Sequence, residues 1–442
     1  MKHIGRIWKR SAAFSCGISL WILMLTPPAG ALDTYSLDDL YRLALKKAEV
    51  IKVSEENVFV AEMGQEKAYS FLLPRATAFG GATRYTEEKR NTAGSLVQPL
   101  TAASWGVRVD ETLSLSGREL TALGIAKDAI ERSRKDLSAI KEVYLFAVAA
   151  SYFDVFRARR NVEIADANLA RLGKYRDAAE KRLRVGEVTK TVLLRADGEL
   201  SGAQSDRLKA ANVAALAQAN LARIVGIPQG FELREEPYTE GELRPLAFYR
   251  ETAEKERSDL KSLEIQKKIS EDQVRFTKGS YWPSLSLTAV YAGADQDPAS
   301  STINRESIYG AALLNFPFFE GGLRKAEVKE AMARERQTKY FYDDLVKAIG
   351  IEVEGAYLEV ATQKGQIRFL QDQLAYAKDN FNAVSRQFEY GLSSSIDVID
   401  ANTLLVSAEQ KLAEALYSYQ TSTLKLKKAT GVLLRAVTGS QG

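Results

Sequence analysis

Cysteine and histidine are all but missing. The only residues of each type, Cys16 and His3, both fall within the first 31 positions. That stretch starts basic (Lys2, Arg6, Lys9, Arg10), runs apolar from Ala12 to Leu25 and closes on Ala29, Gly30 and Ala31. This is the make-up of a secretory signal peptide rather than a membrane span. Removing residues 1–31 leaves no imidazole and no thiol, which excludes serine or cysteine triads, histidine bases and thiolate or imidazole zinc sites. Carboxylate or lysine chemistry stays open. Cys16 sits in mid-run after Ala13-Phe14-Ser15, a poor context for lipid attachment.

Net charge is absent as well. The first 31 residues carry four of the 61 basic residues and none of the 57 acidic ones, so the remainder holds 57 of each. A chain that neutralised phosphates would carry a clear positive excess, so nucleic acid is not an expected partner. Nor does any later segment offer about 18 uninterrupted apolar residues, which excludes a helix spanning a bilayer. Entry into a membrane is left to strands.

Proline is missing from Leu100 to Ile227 and from Phe318 to the C-terminus. Both tracts are rich in Ala, Leu, Glu, Lys, Arg and Gln, which favour helix. The expected elements are a long helix from Arg118 to Val185, a turn at Gly186 and a helix from Lys190 to Val225. The pattern repeats from Leu323 to Tyr390, with a turn at Gly391 and a helix from Ser395 to Thr430. At about 1.5 Å per residue each long helix measures roughly 100 Å. A returning helix of half that length leaves the rest uncovered. The helices Leu37–Leu73 and Ala247–Gly279 supply the missing cover by stacking end to end with it.

The repetition is itself a pattern. Gly186 aligns with Gly391, Ala196 with Ala401, Leu200 with Leu405, Ala203 with Ala408, Gly226 with Gly431 and Tyr152 with Tyr357, all at one offset. Two copies of one long unit favour an assembly built by symmetry. The division is a signal peptide at 1–31, repeat 1 at 32–227, a proline-bounded linker at 228–246 and repeat 2 at 247–442. On the final helix, Ala401, Leu405, Ala408, Leu412, Ala415, Tyr419, Ser422, Leu426 and Ala429 follow the coiled-coil period. An ordinary antiparallel bundle explains that stripe equally well.

Between the helices of each repeat, from Pro74 to Gly117 and from Pro283 to Gly322, the period changes to alternation. Leu285, Leu287, Ala289 and Tyr291 oppose Ser284, Ser286 and Thr288; Trp105, Val107 and Val109 oppose Arg108 and Asp110. Strands of about ten residues with one apolar and one polar face suit a membrane barrel. Each repeat thus contributes one hairpin, and four strands per chain cannot close a barrel, so insertion requires several copies. The alternative is a soluble sheet capping a bundle.

Over essentially its whole length after residue 31 the chain resembles TolC-type outer-membrane efflux proteins. The shared motifs are SLDDLYRLALKKAEV from Ser36, LLP from Leu72, WPS from Trp282, FFEGG from Phe318 and YGLSSSIDVIDANTLL from Tyr390. The resemblance implies a mixed fold: an antiparallel coiled-coil helical barrel in the periplasm and a twelve-stranded transmembrane β-barrel formed by a homotrimer in outer-membrane lipid. It implies a passive exit duct of a tripartite efflux or type I secretion system, without enzyme activity, cofactor or metal centre. A periplasmic adaptor would link the duct to an inner-membrane pump, meeting it at the tips around Gly186, Glu187 and Val188 and around Gly391, Leu392 and Ser393.

Asp397 and Asp400 match the family's aspartates that ring the periplasmic constriction and bind cations. Asp397 also completes an S-x-x-D capping box with Ser394, which explains it without any gate. Asp400 lies one turn further on, past the reach of the helix dipole. The family's gate arginine and tyrosine are Ser393 and Phe388 here, and Val192 and Arg195 replace the acidic pattern in the first repeat. Arg195 is therefore a candidate partner for an aspartate of a neighbouring tip. Two readings from other classes remain: a secreted or periplasmic coiled-coil scaffold, and a carboxylate enzyme acting through Asp397 and Asp400.

Overall fold

The structure is a computed structural model and describes residues 34–235, 240–299 and 304–439. The signal-peptide stretch 1–31 and linker residues 236–239 lie outside these. Two helices of 67 residues dominate: α3 (Arg118–Arg184) and α7 (Leu323–Glu389). Each turns back at a glycine into a shorter helix, α4 (Lys190–Val225) and α8 (Ser395–Ala429). These boundaries lie within a residue of those expected from the proline-free tracts.

The opening helices differ from expectation. Each expected helix is two helices: α1 (Leu37–Lys47) and α2 (Glu49–Ser70), then α5 (Leu246–Glu256) and α6 (Ser258–Lys278). One extended residue makes each break, Ala48 at φ −61°, ψ 124° and Arg257 at φ −61°, ψ 122°. Neither is Gly or Pro, so nothing local announces the kink. Both are buried, and packing holds them.

Ion pairs give the stacking order. Along α3, Arg134 pairs with Glu62 and Lys141 with Glu55 of α2, while Asp166 pairs with Arg207 and Arg176 with Asp197 of α4. Higher numbers on α3 meet lower numbers on both partners, so α2 and α4 run antiparallel to α3, one above the other. Arg207, the one charged residue on the first repeat's seam, is thus spent on Asp166 at 2.8 Å. Where the stack joins, Leu40, Tyr41, Ala44, Leu145, Val148, Tyr152, Phe156, Leu221, Val225 and Leu433 form one apolar cluster. Tyr152 is fully buried at its centre, edge-on to Phe153 and Phe156 at 5.2 and 4.9 Å, and its hydroxyl donates to the Arg234 carbonyl. On α8 every expected seam residue is buried except Leu412, which is half-buried.

The hairpins form one antiparallel sheet. Its strands are β1 (Arg75–Arg84), β2 (Thr101–Ser114), β3 (Ser284–Asp297) and β4 (Glu306–Asn315), in that order. Register puts Val107 opposite Tyr291, Val109 opposite Ala289 and Leu113 opposite Leu285 on one face. There Trp105 sits edge-on to Tyr291 at 5.6 Å and covers Gly293, where a Cβ would fall 2.4 Å from the indole. The other face carries polar rungs: Arg108 to Asp110 at 2.7 Å, Thr288 to Asp110 at 3.0 Å, and Thr112 with Ser286 at 3.1 Å. Among the described residues no helix is long and apolar enough to cross a membrane.

Candidate functional site

Both tips are built alike. Helix α3 ends with Gly186 at φ 79° and α7 with Gly391 at φ 77°, a left-handed conformation that only glycine adopts cheaply. The amides that follow close the turn: Glu187 to the Arg182 carbonyl at 2.9 Å, and Leu392 to the Gln387 carbonyl at 2.8 Å. After Gly391 the chain re-enters helix through a reciprocal cap. The Asp397 amide donates to Ser394 Oγ at 3.3 Å, and the Ser394 amide donates to Asp397 Oδ2 at 2.8 Å. Hydrogen bonds from the Ser394 hydroxyl and amide hold the Asp397 carboxyl below its usual range. Asp397 is therefore a helix cap, and it is exposed.

Asp400 is exposed and has no ion pair among the described residues. Arg195 is likewise exposed, with no ion pair to either aspartate among the described residues. Val192 packs against the tip's apolar cluster with Leu172, Tyr175, Phe388 and Val398. Ser393 donates its hydroxyl to the Val384 carbonyl at 3.1 Å. Phe388 is buried beneath Tyr175, ring centroids 5.2 Å apart.

The residue that sequence reasoning missed is Arg182. Its guanidinium donates to the Phe388 carbonyl at 2.7 Å, lies 4.8 Å from the Phe388 ring and pairs with Glu187 at 3.0 Å. One side chain thus joins the ends of α3 and α7. In the sequence it looks like any basic residue in a last helical turn. The one available signal was its counterpart at the constant offset, the uncharged Gln387.

Further up, Arg171 of α3 crosses to α8. It reaches Asn402 at 3.1 Å and Glu409 at 3.0 Å, and Asn402 donates to Asn168 at 2.8 Å. Asn402 is buried and all of these groups are satisfied, which makes the crossing specific to this pairing of helices. At the equivalent place in the first repeat, Asp197 turns to Arg176 within its own coil. Two coiled coils are therefore tied side by side, firmly through Arg171 and Asn402 and at the very end through Arg182. The turns themselves present apolar side chains to solvent, with Tyr390 80% and Leu392 78% exposed.

The model of the family described as outer membrane efflux protein matches residues 40–227 and 250–432. Outer membrane protein TolC of Escherichia coli K12 is 22% identical over 306 residues, 66% of this chain; the chain spans 62% of that relative's length. The pyoverdine export outer membrane protein OpmQ of Pseudomonas aeruginosa is 22% identical over 416 residues, 91% of this chain and 86% of its own. A crystal structure of CusC superposes with a TM-score of 0.81 at 19% identity, covering 90% of this chain and 93% of that one. The Campylobacter jejuni CmeC outer membrane channel matches with a TM-score of 0.81 at 17% identity, covering 90% and 86%. The structural likeness shows the fold, mostly helical and TolC-like, and the family match spans both halves. The chain belongs to the outer membrane efflux protein family.

Proposed function

We propose that this protein is the passive outer-membrane exit duct of a tripartite efflux or type I secretion system. On this reading it is a homotrimer, with a twelve-stranded barrel in lipid and a helical tunnel in the periplasm. The observation that carries it is the four-stranded sheet, with a mostly apolar face of Trp105, Val107, Val109, Leu285 and Tyr291, a more polar face carrying Arg108, Asp110, Thr112, Ser286 and Thr288, and two unpaired edges, β1 and β4. Open edges are not tolerated in hydrocarbon, so β4 of one copy must meet β1 of the next. Such a head-to-tail contact is heterologous and closes as a ring.

The helices support the same contact. Ile351, Leu358, Phe369 and Tyr376 of α7 are each over half exposed. Ile351 and Phe369, like Leu358 and Tyr376, are separated by five full turns, which places them on one stripe. Leu194, Leu208, Val213 and Leu216 of α4 are also over half exposed, an apolar surface the single chain leaves uncovered. The division into repeats at 32–227 and 247–442 about the linker 228–246 fits this symmetry. Fractionation and an unboiled gel test it: an outer-membrane band at three times the chain mass that boiling collapses is expected, whereas a water-soluble monomer would leave only a scaffold.

At the periplasmic end, three copies bring three pairs of Asp397 and Asp400 toward one axis, with Arg195 of each copy free to pair across to a neighbour. Clustered carboxylates at a narrow opening repel one another and hold cations. Asp397→Ala with Asp400→Ala should raise single-channel conductance in planar bilayers or weaken block by divalent cations. Unchanged currents and unchanged block would remove the gate. The exposed Tyr390 and Leu392, with the turn residues Gly186, Glu187, Val188, Gly391 and Ser393, suit docking of a periplasmic adaptor, through which an inner-membrane pump drives export.

A further inference from the structure

The last helix among the described residues, α9 (Leu433–Gly439), packs against α3 and starts over a glutamate. Glu142 is only 6% exposed. Its Oε1 accepts the Leu434 amide at 3.3 Å, and its buried Oε2 has no hydrogen-bond partner among the described residues. We propose that Glu142 is a proton-operated latch for the C-terminal helix, holding α9 against α3 tightly when protonated and letting it loosen when ionised.

The charges around it supply the reason. At the break between α5 and α6, Arg257 forks onto Asp259 of α6 at 2.9 and 2.6 Å, and its Nη1 donates to Glu352 of α7 at 2.6 Å and to the Ala429 carbonyl of α8 at 3.1 Å. Lys428 of α8 holds the other oxygen of Glu352 at 2.7 Å. From α2, Glu55 pairs with Lys141 at 3.5 Å, and Glu49 acts on Tyr144; from α5, Glu256 pairs with Arg435 of α9 at 3.0 Å. Two cations and two carboxylates of the inner cluster thus match each other, and Glu142 is the odd charge. Ionised, it is a buried charge beside a guanidinium already held by two carboxylates and a carbonyl. Protonated, its Oε1 still accepts the Leu434 amide, while the proton sits on the oxygen that no other group needs. Its cleft is bounded on one side by Val50, Ala139, Ile140, Val143 and Ala147, and on the other by Arg257, Asp259 and Lys428.

Burial pushes the Glu142 carboxyl up to about 7, opposed by the Leu434 and Leu433 amides and by Arg257. When α9 lifts, water reaches Glu142 and its affinity for a proton falls back toward that of an ordinary glutamate. The docked state therefore binds the proton more tightly, and docking strengthens as pH falls through about 7. Between pH 8 and pH 5.5 the opening constant should fall about tenfold or more.

Amide hydrogen exchange of residues 431–439 in the full, processed chain reads this directly, because exchange senses rare openings. After correction for the intrinsic rate, protection should rise about tenfold from pH 8 to pH 5.5. Glu142→Gln, neutral and still an acceptor, should be protected equally at both, while Glu256→Gln should keep the wild-type rise. Equal wild-type protection at the two pH values overturns the latch, as does an undiminished rise in Glu142→Gln or its loss in Glu256→Gln. If Glu142→Gln does not assemble, the wild-type profile and Glu256→Gln decide. A flat profile leaves the channel reading standing, and a missing trimer leaves the latch standing.

Discussion

Replacing Arg182 by alanine should open the periplasmic end. Its charged hydrogen bond to the Phe388 carbonyl at 2.7 Å contributes about 2 kcal/mol, and its seat 4.8 Å from the Phe388 ring about 1 kcal/mol. Losing both shifts a closed-to-loosened equilibrium of the tips roughly a hundredfold. The next tie between the coils, a long neutral hydrogen bond from the Tyr175 hydroxyl to the Ser395 carbonyl at 3.4 Å beside the Phe388 ring, is weaker than the charged contact that is lost, and Arg171 to Glu409 lies three turns away. Planar-bilayer recordings should show larger or longer openings for Arg182→Ala. Arg182→Lys, which keeps the charge without the fork, should lie between variant and wild type. Currents indistinguishable from wild type would reduce Arg182 to an ordinary helix-end charge.

The second large effect falls on stability. Arg257→Ala should cost about 3 kcal/mol, because it removes the cation from a cluster in which Asp259, Glu352 and Glu142 would then face Lys428 alone. It also strips the Ala429 carbonyl at the end of α8, where a cation is favoured by the helix dipole. Denaturant melting should show the loss, and hydrogen exchange should place the first opening at the α5–α6 break and the end of α8. The deficit should shrink at pH 5.5, where Glu142 takes up a proton and one repelling charge disappears. A deficit as large at pH 5.5 as at pH 8 would separate Arg257 from Glu142. Arg257→Met, which restores volume without charge, should leave the same carboxylates unpaired and recover little.

Much of this molecule was legible before any coordinates. Two proline-free tracts bounded α3, α4, α7 and α8 to within a residue, since nothing but proline, glycine or a cap stops a chain so rich in Ala, Leu, Glu and Lys. Gly186 and Gly391 marked the reversals, and Ser394 with Asp397 marked the restart of α8. Alternation assigned Val107, Val109, Leu285 and Ala289 to one face, as the register bears out. The breaks at Ala48 and Arg257 were not legible. Each is an ordinary residue whose extended conformation is held by packing against distant helices, and for Arg257 by carboxylates and a carbonyl on three elements.

Local propensity and periodicity thus decided which segments are helix and which are strand, where the long helices end and which way their side chains point. These depend on neighbours within a few residues, and a single chain states them openly. Tertiary structure decided which charges meet. Arg182, Arg171, Arg257 and Glu142 look like dozens of other charged residues along these helices. Their roles arise only when segments up to nearly three hundred residues apart come within hydrogen-bonding distance and exclude the water that would otherwise make them equivalent.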